Sequence, residues 1–261
     1  MPQPNGRYSL VELMVCVAAR QLEDGKTAVI GTGMPLAAAM LAQKTNAPHL
    51  ILLFEAGGVA PQLERLPRSV ADSYTQTGAL LHGSMDEIMS ACQRGMVDYT
   101  FLGGAQIDQY GNINTSMIGA DYQRPKVRLP GSGGANDLAS FCWKTLVITP
   151  HDKRRFVAKL DFLTTPGYLT GPGARERAGL PPGGGPYKVI TTLALIGYDP
   201  ATRRMRVESL HPGVTKEEVI ANTGFELLFA DPLPTTTEPT DEELRILREE
   251  VDPQGFIIGK R

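Results

Sequence analysis

Between residues 8 and 24 apolar side chains recur every three or four positions, at Leu10, Leu13, Met14, Val17 and Ala18, and Gly25 follows them. That spacing lines one face of a helix, and a glycine past the last turn ends it. Thr27 to Ile30 is a short apolar run that enters Gly31-Thr32-Gly33-Met34-Pro35, and the alanine-rich stretch from Leu36 to Lys44 has high helix propensity. Strand, glycine turn and helix are expected in that order. Leu50-Ile51-Leu52-Leu53-Phe54 is a continuous apolar pentad, the pattern of a strand covered on both faces, and it stops at Glu55-Ala56-Gly57-Gly58. Ser84 with Glu87 predicts a capped helix that turns Ile88, Met89 and Cys92 inward until Gly95, and Val97 to Leu102 predicts another strand.

The pattern then changes. Gly103 to Asn114, and more sharply Gly131-Ser132-Gly133-Gly134-Ala135-Asn136, crowd turn formers together and predict irregular backbone. Thr145 to Thr149 predicts a strand, and Val157 to Thr192 mixes strands with a loop rich in proline and glycine at 166–186. Capping boxes at Thr215 with Glu218 and Thr240 with Glu243 predict helices near 216–222 and 241–251, joined by an extended surface connection from Asp231 to Pro239. No internal repeat or linker interrupts the chain, so one domain over 1–261 is expected. The class is α/β, an open, mostly parallel sheet with helices on both faces, followed by a strand-rich second half.

Composition acts mainly by exclusion. With 26 basic and 28 acidic residues the net charge is -2, too weak a field to gather nucleic acid or an anionic membrane, and neither is expected as a partner. No run nears the ~18 apolar residues of a membrane span, the start Met1 to Gly6 lacks a signal-peptide layout, and a cytoplasmic location is expected. Cys16, Cys92 and Cys142 form no C-x-x-C pair and read as reduced small hydrophobes. His49, His82, His151 and His211 show no metal-binding spacing, so no metal is expected.

In open α/β sheets ligands sit beyond the carboxyl ends of the strands. Glu55, directly behind five apolar residues, is the sharpest local candidate for chemistry; the competing reading has it capping a turn or pairing with Arg65 or Arg68. Gly31-Thr32-Gly33 is not a dinucleotide fingerprint, because Leu36 stands where the third glycine belongs. Gly131, Gly133 and Gly134 offer unobstructed backbone N–H groups to an oxyanion or a thioester carbonyl, and read equally well as a flexible turn. Ser69 and Ser132 lack a G-x-S-x-G setting, which argues against a serine hydrolase. His151-Asp152-Lys153-Arg154-Arg155 reads as a solvated loop, with coenzyme phosphate contact as the minority reading.

Taken together these segments resemble the B subunit of glutaconate-type, family I coenzyme A transferases, from about Tyr8 to Pro253. The resemblance rests on Gly31 to Pro35, Glu55 with Gly57, Pro67-Arg68-Ser69-Val70, Gly103 to Asp108 with Tyr110-Gly111-Asn112, and Gly131 to Asn136. It continues through Lys153 to Phe156, Gly171-Pro172-Gly173 with Arg175-Glu176-Arg177, Asn222 to Phe225, and Val251-Asp252-Pro253. It implies that Glu55 is a nucleophile forming an acyl-glutamyl anhydride and then a glutamyl-CoA thioester, with ping-pong kinetics. It places Gly131, Gly133 and Gly134 at the thioester, and Gly31, Gly33, Ser69, Gln106 and Asn136 along the substrate. Coenzyme A enters as a substrate rather than a bound cofactor, dicarboxylic acyl groups are within range, and an A subunit is required for activity. Relatives acting in steroid-ring breakdown hydrolyse cyclic CoA thioesters without this glutamate, and a related decarboxylase has cysteine there. Ala56, where the glutaconate enzymes have serine, and Leu210-His211-Pro212-Gly213-Val214-Thr215, which resembles the steroid branch, keep open a hydrolase in which Glu55 activates water. A noncatalytic subunit that completes its partner's pocket is the third reading.

Overall fold

Ser9 starts the first helix with a reciprocal cap. Its hydroxyl accepts the Glu12 amide at 3.2 Å and the Glu12 carboxylate accepts the Ser9 amide at 2.7 Å. The computed structural model describes residues 6–69 and 72–259; Met1 to Asn5 and Val70, both used in the sequence reading, lie outside the described residues. In chain order come α1 (Leu10–Ala19), β1 (Thr27–Val29), α2 (Met34–Lys44), β2 (Ile51–Leu53), β3 (Gly58–Val59), β4 (Leu81–His82), α3 (Met85–Gln93) and β5 (Tyr99–Leu102). Four short strands follow, β6 (Gln106–Ile107), β7 (Ile113–Asn114), β8 (Met117–Ile118) and β9 (Val127–Arg128), and then α4 (Ala135–Phe141), β10 (Lys144–Thr149) and α5 (Ala174–Arg177). The chain continues with β11 (Gly185–Thr191), β12 (Ala194–Tyr198), β13 (Met205–Leu210), α6 (Lys216–Ala221), β14 (Leu228–Phe229) and α7 (Asp241–Ile246), which runs on as a wider turn over Leu247–Val251. The contacts form two compact units: residues through Phe101 with Thr237 onward, and Leu102–Thr236.

In the first unit β1 lies between β5 and β2 and is parallel to both, Val29 standing opposite Leu53 and Thr100. Parallel neighbours need a crossover, and α2 supplies it. All seven side chains from Leu36 to Ala42 are buried, and the alanines among them let α1 approach closely. The apolar pentad is covered at Leu50, Leu52, Leu53 and Phe54, but Ile51 is 39% exposed. β3 and β4 extend the sheet with antiparallel pairings. The C-terminal helix is bound to α1 by charge: Arg248 Nε donates to the buried Glu12 carboxylate at 2.6 Å, and Arg20 grips Glu243 at 2.8 and 2.6 Å. A buried glutamate is tolerated because both its oxygens are occupied.

In the second unit β10 and β11 are parallel, β11, β12 and β13 antiparallel in series, and β14 parallel to β13. Ile107, Val147, Phe156, Val189, Ile196 and Val207 meet in its core. The predicted irregular run Gly103 to Asn114 contains an ordered hairpin, β6 with β7. Its turn is built by Asp108, whose carboxylate accepts the Tyr110 amide at 2.9 Å, the Asn112 amide at 3.1 Å and Asn112 Nδ2 at 2.8 Å. The predicted box at α6 is half formed: Thr215 accepts the Glu218 amide at 3.1 Å and no bond returns from the Glu218 side chain. Cys16, Cys92 and Cys142 are buried, and none of them is in a disulfide. Among the described residues no helix is long and apolar enough to cross a membrane.

His151 does not belong to the solvated loop in which the sequence placed it. Its ring is buried, stacked on Phe156 at 4.0 Å, and bonded to the Thr191 and Thr223 hydroxyls at 3.1 and 2.9 Å. His211 is buried too, donating Nε2–H to the Thr191 carbonyl at 2.8 Å and meeting the Thr236 hydroxyl through Nδ1 at 3.0 Å. Burial pushes both rings down to about 4; Asp152 opposes this at His151, and the bond to Thr191 opposes it at His211. Each ring is therefore neutral in the folded chain but protonates below about pH 6.5 when unfolded. The associated stability is complete above pH 6.5, declines as the pH falls, and levels off below about 4, up to about 3 kcal/mol for each ring. Thermal unfolding between pH 7.5 and 4.5 is expected to show this decline, and His151→Gln with His211→Gln to flatten it.

Candidate active site

The geometry around Glu55 follows from two parallel strands ending together. The Ile30 amide donates to the Leu53 carbonyl at 3.0 Å, so Gly31 to Gly33 and Glu55 leave neighbouring strands at the same end of the sheet. Phe54 is buried beneath them. The chain reverses at once: the Phe54 amide bonds the Gly58 carbonyl, and the Gly57 amide bonds the Phe54 carbonyl, both at 2.8 Å. Gly57 sits at φ +109°, and a Cβ there would collide with the Gly83 backbone carbonyl, so only glycine closes this turn. Glu55 is thereby held half-buried at its tip.

Neither competing reading of Glu55 is realised. Among the described residues its carboxylate makes no hydrogen bond to the turn and no ion pair. Arg65 is occupied elsewhere, 3.5 Å above the Tyr74 ring and 3.6 Å from Asp72. Arg68 lies 5.5 Å above the ring of Phe256. A cavity of about 280 Å³ opens between Thr32–Gly33, Pro67–Arg68 and Phe256–Ile257, and a second of about 280 Å³ lies on the other side of Leu66 and Arg68, against Val251 to Gln254. Ser69 is exposed and bonded within the chain. Gly33 is the cap of α2, at φ +85°.

The sequence reading did not find the C-terminal contribution to these cavities. Asp252 is buried, and its carboxylate accepts the amides of Phe256, Ile257 and Ile258 at 2.8, 2.7 and 2.9 Å. This folds the segment after α7 into a firm wall. The available signal was an acidic residue just ahead of a proline and a glycine, too common to stand out by itself.

The second unit holds the remaining candidates. Gly131 and Gly133 have positive φ, and a Cβ on either would meet nothing within 4 Å, so the turn presents open backbone. The Gly131 amide donates to the Thr115 carbonyl at 2.8 Å, which removes Gly131 from the set of free donors. The amides of Gly133 and Gly134 make no bond to another described residue. Gln106 is buried and tied to Asn114 at 2.7 Å and to Asp161 at 3.2 and 3.0 Å, and so joins β6 to the chain around 161. Asn136 is exposed and donates to the Thr164 carbonyl at 2.9 Å. In the 151–155 segment Arg154 is solvated, while Arg155 pairs with Asp152 at 3.3 Å and donates to the Gly104 carbonyl at 3.3 Å. Among the described residues no three acidic, histidine or cysteine side chains are grouped to hold a metal.

A carboxylate without a partner among the described residues, at the tip of a glycine-forced turn, is a group suited to acyl transfer. Comparison with known proteins agrees. A sequence model described as coenzyme A transferase matches residues 11–222. The B subunit of 3-oxoadipate CoA-transferase from Pseudomonas knackmussii is 41% identical over 242 residues, 92% of each chain. The B subunit of glutaconate CoA-transferase from Acidaminococcus fermentans is 36% identical over 259 residues, 96% of this chain and 95% of the relative. The crystal structure of glutaconate coenzyme A-transferase from the same organism superposes with a TM-score of 0.92 at 34% identity, covering 98% of this chain and 99% of that one. Matched over most of its length in both sequence and fold, the chain belongs to the coenzyme A transferase family.

Proposed function

We propose that this chain is the catalytic B subunit of a heteromeric CoA transferase that moves coenzyme A between an acyl-CoA and a free carboxylic acid, dicarboxylic acids included. The observation that carries the reading is the Glu55 carboxylate, half-buried at a strand end and without a partner among the described residues. A carboxylate in water is a weak nucleophile. Partial burial strips its hydration, and the absence of an ion pair leaves its electrons available.

In the proposed sequence a Glu55 oxygen attacks the thioester carbonyl carbon, the C–S bond breaks, and CoA thiolate departs from an acyl-glutamyl anhydride. The thiolate then attacks the glutamyl carbonyl, releasing the first acid as its carboxylate and leaving glutamyl-CoA. An acceptor carboxylate enters by the reverse steps and leaves as the new acyl-CoA; no net proton is required. Each addition places negative charge on a carbonyl oxygen, a charge that free backbone amides stabilise. The dicarboxylic range is supported by two relatives, since 3-oxoadipate and glutaconate both carry two carboxylates. Both relatives are B subunits, which supports assembly with an A subunit.

Treating the assembled complex with acyl-CoA and then borohydride, which reduces a thioester to an alcohol, is expected to alter the mass of the peptide containing Glu55. An unaltered peptide in a complex that still transfers CoA to an added acid overturns the covalent step. Thioester loss that proceeds equally well without any acceptor acid supports the hydrolase alternative instead.

A further inference from the structure

The cavity beside α2 contains one cation that has no ion-pair partner among the described residues. Among the described residues the Arg68 guanidinium has no carboxylate within ion-pair distance, and it lies 5.5 Å above the Phe256 ring. Arg65, three residues earlier, is satisfied by Asp72 and Tyr74. Asp72 accepts the Arg68 amide at 3.0 Å and feels both guanidinium charges, but only Arg65 lies within ion-pair distance of it, and the exposed Arg68 side chain lines the cavity instead. The remaining walls of that space are largely apolar, from Leu66, Pro67, Phe256 and Ile257, and its volume is about 280 Å³. That is the scale of a short acyl chain, below the range of pockets that hold drug-sized ligands.

Two features make this a built cavity. The Asp252 carboxylate holds three successive amides and so fixes Phe256 and Ile257 as a wall. Thr32 and Gly33, on the opposite side, follow directly from β1, the parallel neighbour of the strand that ends at Glu55. The cavity therefore lies at the same end of the sheet as the carboxylate assigned to the chemistry. An apolar channel with a single unpaired guanidinium suits one type of ligand, a short hydrocarbon chain that ends in an anion.

We propose that this cavity receives the far end of the acyl group and that Arg68 pairs with its terminal carboxylate, so that Arg68 selects dicarboxylic over monocarboxylic substrates. The inference rests on the transferase reading and adds to it the residue that sets the substrate class. Arg68 is a specificity residue here; it takes no part in bond making.

The test uses the complex with its A subunit and acetate as acceptor, and compares glutaryl-CoA with pentanoyl-CoA, chains of equal length that end in a carboxylate and a methyl group. Arg68→Gln is expected to reduce the ratio of the two kcat/KM values about 10- to 100-fold, with KM for glutaryl-CoA carrying most of the change, and Arg68→Lys to restore part of it. Equal losses with both substrates overturn the proposal and assign Arg68 to a coenzyme phosphate, the anion that the two share. An unchanged ratio overturns it as well. The transferase reading fails separately, by the absence of acetate-dependent transfer and of a borohydride-trapped Glu55 in the unsubstituted complex. In that event the specificity proposal falls with it.

Discussion

Glu55→Gln is expected to lower CoA transfer by the assembled complex at least about a thousandfold, because the amide can neither attack a thioester nor carry the coenzyme. The same substitution is expected to leave the unfolding temperature within roughly 2 °C, since the side chain it replaces holds no partner among the described residues. Glu55→Asp refines the result: withdrawing the carboxylate by one methylene moves it more than about 1 Å from its reacting position, for which about a hundredfold loss is expected. Transfer rates and thermal unfolding measured on the same samples separate chemistry from folding. Near-full activity with Glu55→Ala would make the chain a structural subunit and end the proposal.

Arg175→Met is expected to act first on stability. Arg175 is 1% exposed and has no acidic ion-pair partner among the described residues. Its guanidinium donates to four carbonyls: Ala139 and Ser140 at 3.0 and 3.2 Å, and Pro166 and Gly167 at 3.2 and 2.9 Å. The first two carbonyls belong to the last turn of α4, where backbone acceptors lack helical partners and a positive charge is favourable. Burial lowers the affinity of Arg175 for its proton, but an arginine remains charged. Methionine fills much of the volume and leaves the carbonyls buried without donors, a loss of at least about 3 kcal/mol. For a chain of this size that corresponds to a drop of roughly 6 to 12 °C in the unfolding temperature. Because α4 continues directly from the Gly131 to Gly134 turn, the turn is expected to loosen with it, visible as faster amide exchange at Gly133 and Gly134. An unfolding temperature unchanged by Arg175→Met would show that the four carbonyls find other donors.

Several parts of this protein were legible because their signals are local. Ser84 with Glu87 and Thr240 with Glu243 are caps set by residues three apart. The crossover from β1 through α2 to β2 follows from apolar runs punctuated by glycine, and so does the position of Glu55 at a strand end. The same reasoning placed Gly131 among the free donors and made His151 part of a solvated loop. Both errors have one cause: the partner that decides the matter, Thr115 in one case and Thr191 with Thr223 in the other, is distant in sequence.

Arg175 and Arg177 show where the boundary falls. Two residues apart on a short helix, they carry the same charge and the same propensity, yet one is enclosed by carbonyls and the other is exposed. Arg65 and Arg68 divide in the same way, one paired and one left facing a cavity whose wall comes from residues nearly two hundred positions later. The sequence by itself determined the capped helices, the longer strands of the first hundred residues, the glycine turns and the candidate glutamate, since these depend on steric and hydrophobic relations within a few residues. Only the tertiary structure decided which charges have partners and which amides remain unbonded. Those properties arise when distant segments meet, and local propensity contains no information about that meeting.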